Sequence, residues 1–235
     1  MLNALLFGLI AASALVIGGV IGAYRRPPRR LVAVMLAFAS GSLITALAFN
    51  LFEESFRTGG VLLSGIGLLA GAATFVAADE LLDRYAGGVG SNVSGFAIVA
   101  AVTLDGIPEN IALGVSLLQT SKTGGLALLV ANFASNLPEA FGGAVGMRDQ
   151  GRTRGFVVLV WTITAVILTA AVVIGNAALS NASYEPLSIL LAFAGGAVLA
   201  SLAHTLMPDA YREGGKLVAF ATSAGFLISF LLAEL

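Results

Sequence analysis

The chain has 235 residues, of which 58% are hydrophobic and 11% charged, with a formal net charge of −1 and a mean hydropathy of +0.96. A soluble domain carries roughly a quarter charged residues, so a water-soluble core is excluded. The clustered charges leave apolar runs of about 20 residues, the length a helix needs to cross a bilayer. The absence of cysteine removes disulfides, thiolate metal sites and thiol catalysis, and the single histidine removes any site built on several imidazoles.

The first span runs over roughly residues 2–23. Met1-Leu2-Asn3 lacks the basic segment of a signal peptide, and Tyr24-Arg25-Arg26-Pro27-Pro28-Arg29-Arg30 follows as a stop signal, so a retained helix is expected. Further spans follow at roughly 31–52, 60–81, 94–119, 124–147, 155–178, 187–207 and 216–234. The connections are short, and residues 1–235 read as a single transmembrane domain. Eight spans put Arg25, Arg26, Arg29, Arg30, Arg84, Arg148, Arg152, Arg154, Arg212 and Lys216 on one side, leaving Arg57 and Lys122 on the other. Basic residues favour the cytoplasm, so both termini are expected outside it, in an inner or plasma membrane.

Span two carries a second signal. Residues 36–55, LAFASGSLITALAFNLFEES, align without a gap to residues 191–210, LAFAGGAVLASLAHTLMPDA, with eight identities in 20 positions at an offset of 155. The match continues into Arg57-Thr58-Gly59-Gly60 against Arg212-Glu213-Gly214-Gly215. Span two runs outward and span seven inward, so spans one to three and six to eight read as an inverted repeat. That is a common secondary-transporter architecture, with the substrate site where the halves meet. By the same offset Glu54 corresponds to Asp209, and Glu53 and Glu54 fall at the extracellular mouth. Asp79, Glu80 and Asp83, near the end of span three, read as solvated or paired with Arg84.

Spans four and five lie between the repeats and hold the polar chemistry. Span four contains Asp105-Gly106-Ile107-Pro108-Glu109-Asn110, and span five contains Ser135-Asn136-Leu137-Pro138-Glu139-Ala140. Each proline removes a backbone donor and crowds the carbonyl four residues back, that of Leu104 or Ala134, so each helix is expected to kink beside an acid. Asp105 and Glu109 share a helical face, as do Ser135 and Glu139, with Asn132 and Asn136 on or near the latter. A carboxylate at membrane depth costs about 2.5–3.5 kcal/mol on insertion scales. No lysine or arginine falls inside a span to pair with these acids, so a mobile cation is the natural partner. Oxygen donors with an imidazole suit a divalent metal, with manganese, iron and cadmium admitted beside zinc. His204, four residues before Pro208 in span seven, is a candidate ligand at an exit site.

At these residues the chain resembles the ZIP (Zrt/Irt-like) family of zinc and iron transporters, over nearly its whole length. The family's fourth helix typically reads His-Asn-x-Pro-Glu-Gly where this chain has Asp105 to Asn110. Its fifth helix carries a polar pair, one residue, then Pro-Glu, matching Ser135 to Glu139. The resemblance implies metal ligation by Asp105, Glu109, Asn136 and Glu139, with Ser135 a weaker candidate, and an elevator-like movement of one helix bundle against the other. Two departures bear on the metal. Asp105 exchanges the usual nitrogen for oxygen, and Gly106 stands where a second ligand is common, so one central ion is expected rather than two.

The expected fold is therefore all-α, with eight transmembrane helices and two proline-kinked helices between the repeats. The expected function is a permease carrying a divalent metal, zinc first, towards the cytoplasm. No prosthetic group and no enzymatic activity are expected, because no nucleophile–base pair or histidine-rich motif is present. Expected partners are the metal cation and the lipid bilayer, without nucleic acid; a homodimer is left open. The competing reading is a proton-coupled or organic-cation carrier using the same carboxylates. A retinal protein would need an intramembrane lysine, and Lys122 and Lys216 sit only at span ends.

Overall fold

A computed structural model describes residues 1–87, 95–118, 122–180 and 184–234. Among them there is no strand, and the helices are α1 (Leu2–Tyr24), α2 (Arg29–Thr45), α3 (Glu53–Gly87), α4 (Gly95–Ser116), α5 (Lys122–Asp149), α6 (Arg154–Leu179), α7 (Tyr184–Ser201), α8 (Met207–Gly214) and α9 (Leu217–Glu234). Four continuous helical stretches among the described residues are long and apolar enough to cross a bilayer: Leu2–Tyr24, Arg29–Leu82, Arg154–Ala178 and Glu185–Gly214. The molecule is an all-helical membrane protein.

Helical structure does not stop at residue 52, where the apolar pattern ends. It continues through Glu53 and Glu54 and bends only at Gly60, whose backbone takes φ 70° and ψ 179°. A positive φ of this kind is open to glycine at little cost. Gly215, at the 155-residue offset, also takes positive φ, 57°, between α8 and α9. A second feature recurs at that offset. The turn Ala46–Phe52 joins α2 to α3 as a π-helix, and the turn Leu202–Leu206 joins α7 to α8 in the same way. In the latter, Pro208 provides a cause, since its ring crowds the His204 carbonyl and a wider turn relieves the clash. Nothing in the sequence of Ala46–Phe52 supplies a comparable local cause.

Close helix contacts come in related pairs. α3 packs along α7 and α9 along α2, while α1 packs along α5 and α6 along α4. Glycine permits these approaches. A Cβ on Gly41 would stand 1.9 Å from the Thr222 carbonyl oxygen, and one on Gly196 would stand 1.9 Å from that of Leu68. A Cβ on Gly225 would likewise stand 1.9 Å from the Phe38 carbonyl oxygen, and one on Gly71 1.9 Å from that of Phe193. Gly41 with Gly196, and Phe38 with Phe193, are again 155 residues apart. Gly18 and Gly22 seat α1 against the Leu137 and Phe141 carbonyls of α5, so this Gly-x-x-x-Gly pair serves a contact within the chain.

Polar contacts differ between the corresponding interfaces. Where α3 meets α7, the Ser55 hydroxyl lies within donating distance of the Ser188 carbonyl at 2.8 Å and the Ser64 hydroxyl at 2.9 Å, which share its one proton, and the Ser188 hydroxyl donates to the Ser55 carbonyl at 2.8 Å. All three serines are fully buried. At the offset of 155, Ser55 and Ser188 correspond to Ala210 and Ala33, which are buried at the α2–α8 interface without a hydroxyl.

Candidate metal centre

Glu109 lies mid-way along α4, directly after Pro108, and is 4% exposed. It is reached from α5 by two side chains. The Ser135 hydroxyl, which donates to the Asn132 carbonyl at 3.1 Å, lies 3.5 Å from Glu109 Oε2, and the Asn132 amide nitrogen donates to the Glu109 backbone carbonyl at 3.3 Å. Both are fully buried. With its nitrogen committed, Asn132 leaves its Oδ1 buried without a hydrogen-bond partner, as does Asn110. A buried oxygen without a donor is costly, and a cation would satisfy it as a hydrogen atom would.

Glu109 and Asn132 also border a small cavity of about 10 Å³, closed by Leu43, Leu47 and Leu51 from the α2 side, with Leu128 and Val198. That is room for about one water-sized particle. The π-helical turn Ala46–Phe52 supplies part of this wall, and its Asn50 is buried with an unpaired amide nitrogen. Residues from both related segments, around 47 and 198, thus converge on the carboxylate.

The remaining expected ligands are distributed as follows. Asp105 lies one turn before Glu109 on α4, and its side chain is outside the described residues. Glu139 follows Pro138 on α5 and is half-buried. Asn136 is 1% exposed and turns its amide nitrogen to the Ala11 carbonyl of α1 at 3.2 Å, so it ties α5 to α1. His204 sits on the second π-helical turn, with its Nε2 2.9 Å from Asp79 Oδ2 on α3 and its side chain 64% exposed. Asp79 therefore pairs with His204 and not with Arg84, which takes Glu80. Among the described residues no three His, Asp or Glu side chains form a ready-made metal cluster.

Gly106 is occupied territory. A Cβ there would stand 2.6 Å from Leu168 Cδ1 of α6, and Leu168 is fully buried. The space a second ligand would need is filled by a leucine. Sequence reasoning placed Asn132 on or near the face of Ser135 and Glu139 but not among the ligands, and it did not single out Leu168. The signal for Asn132 was available, since it lies one turn before Asn136 and 300° of helical rotation from Ser135.

At the end of α2 and α5 that carries the basic residues, a vestibule of about 280 Å³ is bordered by Asp149, Asp209 and Glu213. Each of these acids meets an arginine: Arg26 with Asp149 at 2.9 Å, Arg29 with Glu213 at 3.5 Å and Arg212 with Asp209 at 3.5 Å. All are largely exposed pairs, of small energetic weight.

No family model matches the chain. A curated relative, the zinc transporter GufA of Myxococcus xanthus, is 30% identical over 140 residues, which is 60% of this chain and 54% of that protein. The chain thus spans about half the length of the relative it is similar to.

Proposed function

We propose that the chain is a divalent metal-cation permease of the cytoplasmic membrane, with zinc the first candidate and manganese, iron and cadmium also admitted. The observation that carries this reading is Glu109, a carboxylate 4% exposed in mid-helix and surrounded by the oxygen donors Ser135 and Asn132. A carboxylate at that depth is costly, and a cation passing through would offset its charge. The name of the similar zinc transporter supports the choice of metal.

The ion is held between α4 and α5 by Glu109, Glu139 and Asp105, with Asn132 and Ser135 supplying neutral oxygens; Asn136 contributes by fixing α5 on α1. Eight spans arranged as an inverted repeat carry the site, with both termini outside and metal moving inward. Support for the repeat comes from the paired π-helical turns, the positive-φ glycines 60 and 215, and the matched contacts of Gly41 and Gly196. α1, α4, α5 and α6 form the bundle that holds the ion. It moves against α2, α3, α7, α8 and α9; within each bundle glycines sit close to carbonyls, Gly41 and Gly196 in one, Gly18 and Gly114 in the other.

Uptake of zinc and manganese into proteoliposomes tests the proposal. Metal-dependent accumulation that saturates, and that is lost in Glu109→Gln, is expected. Proton or organic-cation flux without metal movement would replace it with the carrier reading.

A further inference from the structure

A groove of about 720 Å³ runs along the outer surface between α1 and α6, bordered by Leu9, Ser13 and Ile17 on one side and Thr162, Val166 and Thr169 on the other. Its three hydroxyls are turned back into their own helices. Ser13 donates to the Ile10 carbonyl at 2.6 Å, Thr162 to that of Val158 at 2.8 Å and Thr169 to that of Ala165 at 2.8 Å. The groove thus presents carbon almost throughout, although it contains three polar residues. A ligand with hydroxyl or amide groups would find nothing to bond.

The same two helices end in charge. Arg25 and Arg26 follow α1, and Arg152 and Arg154 flank the start of α6. Arg154 stacks over the Tyr24 ring at 5.0 Å and Arg152 over Phe156 at 5.4 Å, which holds both guanidinium groups at the foot of the helix pair. Arg26 has its carboxylate partner in Asp149, while none of the described ion pairs engages Arg25. From Arg25 to Ile17, and likewise from Arg154 to Thr162, is eight residues, or about 12 Å along a helix. One leaflet's hydrocarbon is about 15 Å deep. A phosphate at the arginines therefore delivers the end of its acyl chain into the near half of the groove.

We propose that the α1–α6 groove is a binding site for an anionic phospholipid, with the phosphodiester on Arg25 and Arg154 and the end of one acyl chain entering between Ile17 and Thr162, towards Ser13. Charge complementarity selects the lipid, since basic residues at a cytoplasmic helix end attract anionic headgroups. The apolar lining, its hydroxyls committed to their own helices, selects the chain. The site is independent of which cation the protein carries.

Trp161 is the chain's only tryptophan. It lies next to Thr162 on α6, packed against Gly19 of α1, and its fluorescence reports on the groove. The purified full chain is reconstituted in phosphatidylcholine vesicles containing increasing fractions of a lipid brominated on its acyl chains, either phosphatidylglycerol or phosphatidylcholine. Half-maximal quenching is expected at about fivefold lower mole fraction for brominated phosphatidylglycerol. Arg25→Gln with Arg154→Gln should abolish that preference while leaving the common quenching by bulk lipid, and Ser13→Phe should reduce quenching by both lipids. Equal half-quenching fractions for the two lipids in the parent overturn the proposal. So does a quenching that falls as protein per vesicle rises at constant lipid composition, because a second copy then fills the groove.

Discussion

Glu109 and Glu139 each follow a proline inside a helix, which deprives that helix of one backbone donor. Glutamine keeps the size and one oxygen of either side chain but removes the charge that offsets dehydration of the ion. Loss of one member of a buried charge assembly costs about 3–5 kcal/mol, so Glu109→Gln and Glu139→Gln should each lower metal affinity at least about a hundredfold, read by titration calorimetry and by uptake at matched expression. Parental transport by both variants would make the acids structural. Asp105→His should retain transport and shift preference towards zinc, because imidazole is the softer donor; competition between zinc and manganese uptake measures it. Gly106→Asn alone should leave the bound-metal stoichiometry at one ion, since Leu168 fills the adjoining space. Gly106→Asn with Leu168→Ala opens that space, and metal analysis of the purified protein is expected to show the second ion only there. These acids and their shared faces were legible from proline placement and helical period. The roles of Asn136 and Leu168 were not, because period gives a residue's face and not the helix that face meets.

At the scale of the helix pair, adjacent glycines on α7 make opposite forecasts. A Cβ at Gly196 would stand 1.9 Å from the Leu68 carbonyl oxygen, whereas one at Gly195 would find Leu51 at an ordinary 3.7 Å. Gly196→Ala should therefore destabilise by about 1–3 kcal/mol through overpacking. Gly195→Ala should be neutral or gain up to about 1 kcal/mol from helix propensity. Thermal unfolding in detergent, with Gly41→Ala as the related case, separates them. A comparable loss in Gly195→Ala would mean that the spacing of α3 and α7 is not set by Gly196. The elements themselves were readable, since apolar runs and basic clusters locate helices within a few residues. What the hydropathy pattern could not give was continuity. Nothing between residues 29 and 60 breaks a helix, so α2 passes through its π-helical turn into α3 with no boundary at residue 52. The π-helical turns were equally hidden, as only one of them has a proline to mark it.

For the whole molecule, the proposed orientation is tested on a background free of cysteine. Gln150 and Arg57 are both exposed and fall on opposite sides of the proposed eight-span arrangement. Arg57→Cys should react with a membrane-impermeant thiol reagent on intact cells and Gln150→Cys only after lysis; the reverse pattern would invert the molecule. The proposed repeat rests on an ungapped alignment, yet sequence identity says nothing about where the two aligned segments differ in bonding. They differ at Ser55 and Ser188, laced by hydroxyls, against Ala210 and Ala33, which are buried and carry none. In the proposed arrangement α3 and α7 travel in the same bundle, so the serine lacing is kept whichever way the site faces and favours neither side. Its consequence is mechanical. Each net hydrogen bond is worth about 0.5–1.5 kcal/mol, so the α3–α7 seam is the stiffer of the two, and the α2–α8 seam is where that bundle is expected to yield first.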